Sequence, residues 1–280
     1  MLDSGKIAVN PPPDNAPDER TDIGGSQVNR PNPFRQLWDL GYRSILPMVP
    51  PNVELSPAFQ LALRLAKGRD DRGKAPGELR DGLWSGLFSW QRRETTEADL
   101  ERWYRMKAGV GLADDGGLVL LDIDAQDEAT ANGIEADAIE MLGPAPCRVG
   151  SWPKRLLLYR IDETLPFTAV TFRGPGEKPD RVELLAKPKQ AVVYGVHNRT
   201  GRLHEWTRPL VARSALTLVT RAQVEAFFKL QQEKLPAAVA EKGATLSDRQ
   251  ALDQTTLKGD IEHVRKAVRS TPNTEALFPS

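Results

Sequence analysis

Two aspartates at the end of an apolar run are the residues whose types and spacing best suit chemistry. The run Leu118–Ile123 predicts a buried strand, and Asp122 and Asp124 stand two residues apart in "LVLLDIDA". Because side chains alternate between the faces of a strand, we expect both carboxylates on one face. Two neighbouring carboxylates repel each other, and their hard oxygen atoms suit Mg²⁺ or Mn²⁺. The alternative is that both aspartates begin a turn, where Asp is common.

A third carboxylate, Glu183, lies in a second apolar run, "RVELLA". A strand glutamate with apolar neighbours lies either on the solvent face or in a site. Asp180 is the nearby competitor for an acidic role. The residues alone leave both alternatives open.

Basic residues follow in two groups. In "GSWPKRLLLYR", Lys154 and Arg155 begin a predicted strand after a polar turn. Beside a two-carboxylate metal site their donors suit a triphosphate, and the alternative is a solvated pair at the start of a strand. His197 has no His or Cys at ligand spacing, so we do not predict a zinc site. The residues placed to follow a nucleic-acid backbone are Lys187, Lys189, His197 and Arg199.

Composition restricts the class of protein. The 280 residues suffice for one large domain or two smaller ones, and the single cysteine, Cys147, excludes a disulfide framework. No apolar run approaches the roughly 20 residues of a membrane helix. The net charge is zero, but residues 94–146 carry 13 acidic and 3 basic side chains, whereas residues 147–213 carry 13 basic and 6 acidic ones. This division either separates a metal-binding segment from a nucleic-acid-binding segment or reflects two solvated surfaces.

Hydrophobic periodicity predicts helices and strands in mixed order. We predict helices in "PFRQLWDL", "SPAFQLALRLAKG", "ETTEADLERWYRMKAG", "EADAIEML" and "TRAQVEAFFKLQQEKL", and a short strand over residues 44–49. Strand pairs are predicted to turn at residues 150–153 and 187–189, and "GRDDRGKAPGELRDG" is predicted to be a loop. This order favours an α+β domain with helices packed on a mostly antiparallel sheet.

The domain limits follow from composition. Residues 1–33 are Pro-rich and polar, which predicts a disordered leader. The main domain is expected over residues 34–235, followed by a linker at 236–247. Residues 248–280 predict the start of a further helical segment that is cut short.

Taken in order, several segments resemble the bifunctional primase/polymerase (Prim-Pol) domains of the archaeo-eukaryotic primase superfamily, found in phage and plasmid replication proteins. The resemblance covers roughly residues 35–210. It is carried by "GYRSILPM", "GKAPG" with Trp90 downstream, "ERWYRMKAGVGLADDGGLVLLDID", "RVGSWPKRLLLYR" and "RVELLAKPKQAVVYGVHNRTGRLHEW". Many members carry a His in the middle element, where this sequence has "PKRLLLYR".

The resemblance implies DNA primase and DNA polymerase activity on an RRM-like catalytic core with a C-terminal helical segment. The catalytic residues would be Asp122, Asp124 and Glu183, holding two Mg²⁺ or Mn²⁺ ions about 3.5–4 Å apart. The nucleotide-binding residues would be Lys154, Arg155, Ser151 and Lys74. The expected partners are a single-stranded DNA template, a primer, dNTPs or NTPs, and a fused or separate helicase. The expected compartment is the cytoplasm of a bacterial or phage-infected cell.

Two other classes of function remain open from the sequence. A nucleic-acid-binding module without catalysis would bind DNA without divalent metal. Another Asp-x-Asp enzyme, such as a nucleotide-sugar transferase, would act without a template. A haloacid dehalogenase phosphatase fits less well, because Ala125 and Gln126 follow the aspartates where that class has x-Thr or x-Val.

Overall fold

Helices and antiparallel strands alternate in the computed structural model, which describes residues 31–67, 72–186 and 189–238. Over these residues the helices are α1 (Pro33–Asp39), α2 (Pro57–Lys67), α3 (Glu97–Arg105), α4 (Glu128–Leu142) and α5 (Arg221–Lys234). The strands are β1 (Ile45–Met48), β2 (Gly77–Arg80), β3 (Leu83–Gly86), β4 (Gly109–Ala113), β5 (Leu118–Asp124), β6 (Cys147–Ser151), β7 (Lys154–Arg160), β8 (Thr168–Phe172), β9 (Asp180–Leu184), β10 (Gln190–Tyr194) and β11 (Glu205–Arg208). The predicted α+β class with mostly antiparallel sheets is confirmed.

Two helices begin at threonine caps that the sequence supplies. At α3, the Thr96 backbone N–H donates to Asp99 Oδ2 at 3.0 Å. At α5, the Gln223 backbone N–H donates to Thr220 Oγ1 at 3.3 Å, and the Gln223 side chain accepts from the Thr220 N–H in return. These reciprocal bonds satisfy donors that a helix terminus leaves unpaired.

A six-stranded antiparallel sheet with the order β11-β6-β7-β5-β9-β8 forms the centre of the fold. Strand β5 is buried on both faces because its apolar side chains alternate between them. Val119, Leu121 and Ile123 pack in one apolar cluster with α4 and α5. Leu118 and Leu120 point to the opposite face. The sheet therefore has a helix-covered face and a second face, on which Asp122 and Asp124 also lie.

A three-stranded antiparallel sheet, β1-β4-β10, covers part of that second face. Its side chains share an apolar cluster with those of the central sheet, including Val110, Ala191 and Val193. Helices α1 and α3 contribute Phe34 and Trp103, whose ring centroids are 5.6 Å apart. On this second face the apolar residues of β5 end at Leu120, and the partly buried Asp122 and Asp124 follow.

The predicted hairpin turning at residues 187–189 is wrong. Strand β9 pairs with β5 and β8 in the central sheet, whereas β10 pairs with β4 in the three-stranded sheet. The chain leaves the central sheet after Leu184, and the Leu185 N–H still donates to Leu120 O at 2.9 Å. We expected β9 and β10 to pair because they adjoin in sequence. Both are apolar enough to be buried, however, and they join different sheets.

The predicted loop "GRDDRGKAPGELRDG" is wrong over its last part. Strands β2 and β3 form an antiparallel hairpin in which Arg80 pairs with Leu83 across a two-residue turn. The turn residues Asp81 and Gly82 both have positive φ, 50° and 78°. Asp-Gly is a preferred sequence for this type of hairpin turn, so a local signal was present. Strands β4, β8 and β11 were also not predicted.

The predicted terminal segments fall largely outside the described residues. These segments are the leader before residue 31, most of the linker at 236–247 and the helical segment at 248–280. Helix α5 ends at Lys234, close to the predicted end of the main domain. Among the described helices, none combines the length and apolar character needed to cross a bilayer.

Candidate active site

The three predicted carboxylates meet on one face of two central strands. Asp122 and Glu183 are direct cross-strand partners in the β5–β9 ladder, and Asp124 follows Asp122 by two residues on the same face. Directly opposite side chains in an antiparallel pair have Cβ atoms about 4.5–5.5 Å apart. The Glu183 side chain is 14% exposed. The arrangement groups three acidic side chains within reach of one another at the edge of the apolar cover.

The carboxylates belong to two rows of side chains that cross the sheet. The first row crosses all six strands and contains Trp206, Arg148, Leu156, Asp122, Glu183 and Ala169. In the second row Lys154 pairs with both Ser151 and Asp124, and Arg181 lies opposite Asp124. Ser151 and Lys154, both predicted at the nucleotide site, are therefore on the carboxylate face.

Basic side chains contact two of the three carboxylates. Lys154 forms an ion pair with Asp124 Oδ1. Glu183 Oε1 lies 3.6 Å from Arg181 Nη1 and 3.8 Å from Lys189 Nζ. Lys189, predicted on the nucleic-acid surface, is therefore directly beside the carboxylates. These cations offset the repulsion among the acidic groups.

The electrostatics of Asp122 reflect its crowded position. Burial is the main cause that raises the pKa of the Asp122 carboxyl to about 6. Arg148 acts in the opposite direction, whereas the charges of Asp124 and Glu183 add to the increase. Burial in turn lowers the pKa of Arg148, and Asp122 opposes that decrease. A further cation near these carboxylates would relieve the repulsion that raises the pKa of Asp122.

The donor set is suited to a hard divalent cation. Three carboxylates supply oxygen ligands of the type that Mg²⁺ and Mn²⁺ prefer. In the part of the chain that the structure describes, no three His, Cys, Asp or Glu side chains are arranged as a ready metal site. Lys154 and Lys189 instead hold Asp124 and Glu183, so metal coordination requires these side chains to move.

Arg155 lies on the other face of the sheet, away from the carboxylates. It pairs with Ile123 across the β5–β7 ladder, and Ile123 packs beneath α4. Its guanidinium forms an ion pair with Glu135 of α4 and donates from Nε to Pro153 O at 2.9 Å. Successive residues of a strand face opposite ways. The same alternation that brings Lys154 to Asp124 therefore takes Arg155 into a buried contact with the helix layer.

A group of polar side chains near the carboxylates, here called the polar pocket, consists of Arg148, His197 and His204, and sequence reasoning missed His204. The rings of His197 and His204 have centroids 5.5 Å apart. His204 is 9% exposed, and burial, Arg148, His197 and Lys74 lower the pKa of its imidazole to about 3. His204 is thus neutral at physiological pH. A turn brings these histidines together although seven positions separate them, so a search for ligand spacing could not find the pair.

The absence of a side chain at Gly150 lets the His204 ring pack against strand β6. A Cβ atom at position 150 would overlap the His204 ring, so the imidazole lies directly against the backbone of β6. A register shift between Val149 and Ser151 marks the same position in the β6–β7 ladder. Glycine inside a strand often marks close approach of another group. This glycine was the available sequence signal for the pocket.

Several buried polar atoms of β6, β10, β11 and the segment between β10 and β11 have no hydrogen-bond partner among the described residues. They are Arg148 Nε, His204 Nδ1, Trp206 Nε1, Gln190 Oε1 and Asn198 Oδ1. Arg148 and Trp206 are cross-strand partners, and the Gln190 amide nitrogen donates to Lys74 O at 2.6 Å. Buried polar groups in proteins are nearly always satisfied, so a cluster of exceptions indicates a place for water or a polar ligand.

The remaining predicted residues lie at the rim of the pocket or outside the described chain. Arg199 is exposed in the turn after β10, and its charge lowers the pKa of His197 together with burial, the dominant cause. The charge of Lys74 lowers the pKa of both Asp122 and His204, as one of several smaller causes. Lys187 lies outside the described residues.

Comparison with known proteins assigns no family to this chain. No family model matches the sequence, and no curated protein matches it significantly. The function therefore has to be inferred from the chemistry of the site.

Proposed function

We propose that this protein is a metal-dependent primase-polymerase that transfers nucleotides to a DNA or RNA 3′-hydroxyl under the direction of a single-stranded template. The observation that carries the proposal is the meeting of Asp122, Asp124 and Glu183 on one sheet face beside a basic polar pocket. The segments that resemble Prim-Pol domains include the Asp-x-Asp strand, the basic strand after Pro153 and the strand with Glu183. The central sheet with α4 and α5 would be the RRM-like catalytic core.

The carboxylates would hold one or two Mg²⁺ or Mn²⁺ ions. Bound metal would supply charge neutralisation at the phosphates and increase the acidity of the attacking hydroxyl. The part played by the protein is to hold three oxygen donors on rigid central strands. Because β5 and β9 are hydrogen-bonded neighbours, the relative position of Asp122 and Glu183 is restricted by the ladder between them.

The triphosphate would lie over Lys154 and the polar pocket. Lys154 and Ser151 offer an ammonium and a hydroxyl beside Asp124, and the positive charges of Arg148 and Lys74 act on Asp122. Neutral His204 offers a ring nitrogen to a phosphate oxygen or a ribose hydroxyl. Unpaired buried donors gain most from a ligand that completes their hydrogen bonds.

The nucleic-acid strands would approach from the side of β10 and the turn that follows it. Lys189, His197 and Arg199 lie along this side, from the carboxylates to the exposed rim. Contacts of this type with phosphates position a strand without reading its sequence. The helix-covered face of the sheet would take no part in template binding.

The experiment that tests the proposal measures incorporation of labelled nucleotide on single-stranded DNA, with and without a primer, in Mg²⁺ or Mn²⁺. Asp122→Asn and Glu183→Gln keep the shape of each side chain and should reduce incorporation by about 100-fold or more. The matched control is Asp162→Asn, at a side chain that is 80% exposed and outside the site. The unprimed reaction separates primase activity from extension.

The outcomes distinguish the other classes of function. DNA binding that persists without divalent metal, with no incorporation in any reaction, would replace the proposal with a non-catalytic binding module. Turnover of a nucleotide sugar without template would replace it with another Asp-x-Asp transferase. Incorporation that survives in Asp122→Asn would remove the proposed site even if the activity is real.

A further inference from the structure

Lys154 and Lys189 place two ammonium groups on the candidate metal ligands. Lys154 is paired with Asp124 Oδ1, and Lys189 Nζ lies 3.8 Å from Glu183 Oε1. Both lysines are partly exposed, 32% and 40% for their side chains, so each has room to change its rotamer. A long flexible stem lets an ammonium move several ångströms without any change in the backbone.

We propose that these lysines exchange partners during the binding cycle: divalent metal replaces their ammonium groups on the carboxylates, and the released Lys154 turns to the phosphates of the nucleotide. This inference rests on the proposed function and adds to it a coupling between metal binding and nucleotide binding. A cation on Asp124 and the ammonium of Lys154 compete for the same oxygen atoms. Metal binding therefore makes Lys154 available, and a triphosphate that holds Lys154 makes Asp124 available to metal. Coupling of this kind is reciprocal.

The two lysines are not equivalent. Among the described residues Asp124 forms an ion pair with Lys154 alone, whereas Glu183 has Arg181 Nη1 at 3.6 Å in addition to Lys189. Removing Lys189 therefore leaves a cation on Glu183. Lys189 also lies 3.7 Å from the centroid of the Phe167 ring, a contact that it can keep after leaving Glu183. We accordingly expect the exchange to depend mainly on Lys154.

The test measures Mn²⁺ binding to the full chain without nucleotide, by calorimetry or electron paramagnetic resonance. Lys154→Met keeps the length of the stem and removes the charge, so the dissociation constant for Mn²⁺ should fall about five-fold. Lys189→Met should have a smaller effect, and Lys154→Arg should stay near the wild-type value. The matched control is Lys229→Met, at an exposed lysine of α5 on the helix-covered face.

The second readout is binding of a non-hydrolysable deoxynucleoside triphosphate at saturating Mn²⁺. Lys154→Met should weaken this binding by about ten-fold, because a charge-assisted contact to phosphate is lost. Opposite shifts in metal and nucleotide affinity support the exchange, since a purely structural lysine would not weaken one and strengthen the other. Unchanged or weaker Mn²⁺ binding in Lys154→Met overturns it.

A further variant separates this inference from the proposed function. If wild type binds Mn²⁺ no better than Asp122→Asn/Asp124→Asn, the metal site and the exchange both fail. If wild type binds Mn²⁺ well and Lys154→Met binds it equally, the metal site stands and only the exchange is overturned. Circular dichroism and thermal melting of each variant identify any loss of fold.

Discussion

Asp122 and Glu183 are direct partners across neighbouring antiparallel strands, with their carboxylates on the same face of the sheet. Like charges in this position destabilise a strand pair. Here their repulsion contributes to the raised pKa of Asp122, after burial as the main cause. The repulsion within this pair lowers the stability of the fold, and a divalent cation bound between the carboxylates would relieve it.

The first prediction concerns the pH dependence of stability. The pKa of Asp122 is about 6 in the fold against 3.8 as its ordinary value, so between these values the native state binds the proton more tightly. The contribution of this group to stability is therefore complete below about pH 4 and is lost as the pH rises through 6. Asp122→Asn has no carboxyl group at this position, so it does not lose this contribution to stability as the pH rises. Measured by urea unfolding, its free energy of unfolding relative to wild type should increase by roughly 2 kcal/mol from pH 4 to 7.5.

A companion variant checks the cause. Glu183→Gln removes one of the charges that raise the pKa of Asp122, so that pKa should fall towards its ordinary value, as followed by carboxyl carbon NMR. Glu177→Gln, at an exposed position before β9, is the control and should leave it unchanged. A stability difference between Asp122→Asn and wild type that is constant over this pH range would contradict the assignment.

The second prediction concerns the contact between Gly150 and His204. Gly150→Ala introduces a Cβ that overlaps the His204 ring, so the ring or the β6 strand must shift. We expect a loss of about 1–3 kcal/mol in the free energy of unfolding, because overpacking at a buried site forces such shifts. Thermal or urea unfolding measures this loss.

Gly133→Ala is the matched control for that substitution. Gly133 lies within α4, and nothing is within 4 Å of the position of an added Cβ. Alanine should therefore stabilise the protein by about 0.5–1 kcal/mol. If Gly150→Ala leaves the free energy of unfolding unchanged or raises it as Gly133→Ala does, the packing of His204 against β6 is not as described.

Local patterns predicted much of the fold but not the pairing of distant strands. The apolar run of β5, the helices α3 and α5, and the β6–β7 hairpin each follow from residues that adjoin in sequence. The partner of β9 does not, because pairing with β5 depends on which strands the whole core can bury. Sequence reasoning therefore named Glu183 as a candidate from its apolar run but could not derive its contact with Asp122.

In the candidate site, too, some features follow from local sequence and others depend on contacts between distant segments. Alternation along a strand already implied that Lys154 and Arg155 face opposite ways, yet both were predicted at the phosphate site. Arg148 and His204 were missed, because their roles depend on burial and on contacts between distant segments. Such contacts have no signature in the spacing of residues along the chain.

The third prediction separates the two faces at neighbouring residues. Arg155→Met should lower the free energy of unfolding by about 3 kcal/mol, because Glu135 stays buried after losing one partner of its ion pair. Arg208 still contacts Glu135 and limits the loss. Nucleotide affinity of the folded variant should stay within two-fold, roughly the precision of the binding assay. Urea unfolding and nucleotide titration measure the two effects.

Lys154→Met provides the contrast, with weaker nucleotide binding and little change in stability. Its ion pair with Asp124 is solvent-accessible, and exposed pairs contribute roughly 0–1 kcal/mol. Should Arg155→Met weaken nucleotide binding as much as Lys154→Met, the separation of the two faces would not hold in solution.

The fourth prediction concerns the path of single-stranded nucleic acid. Arg199 is exposed at the rim of the polar pocket, beside His197. If it contacts one phosphate, Arg199→Ala should reduce the slope of log K against log salt concentration by about 0.7, because one fewer counterion contact is released. The affinity should fall equally for different template sequences, since a phosphate contact reads no base. Fluorescence anisotropy of labelled oligonucleotides over a salt series measures both quantities.

The control for this prediction is Lys229→Ala, on the helix-covered face, which removes the same charge and should leave the slope unchanged. Equal slopes for Arg199→Ala and wild type would mean that the nucleic-acid strand does not pass along this rim. A changed slope for Lys229→Ala would show that net charge alone explains the effect.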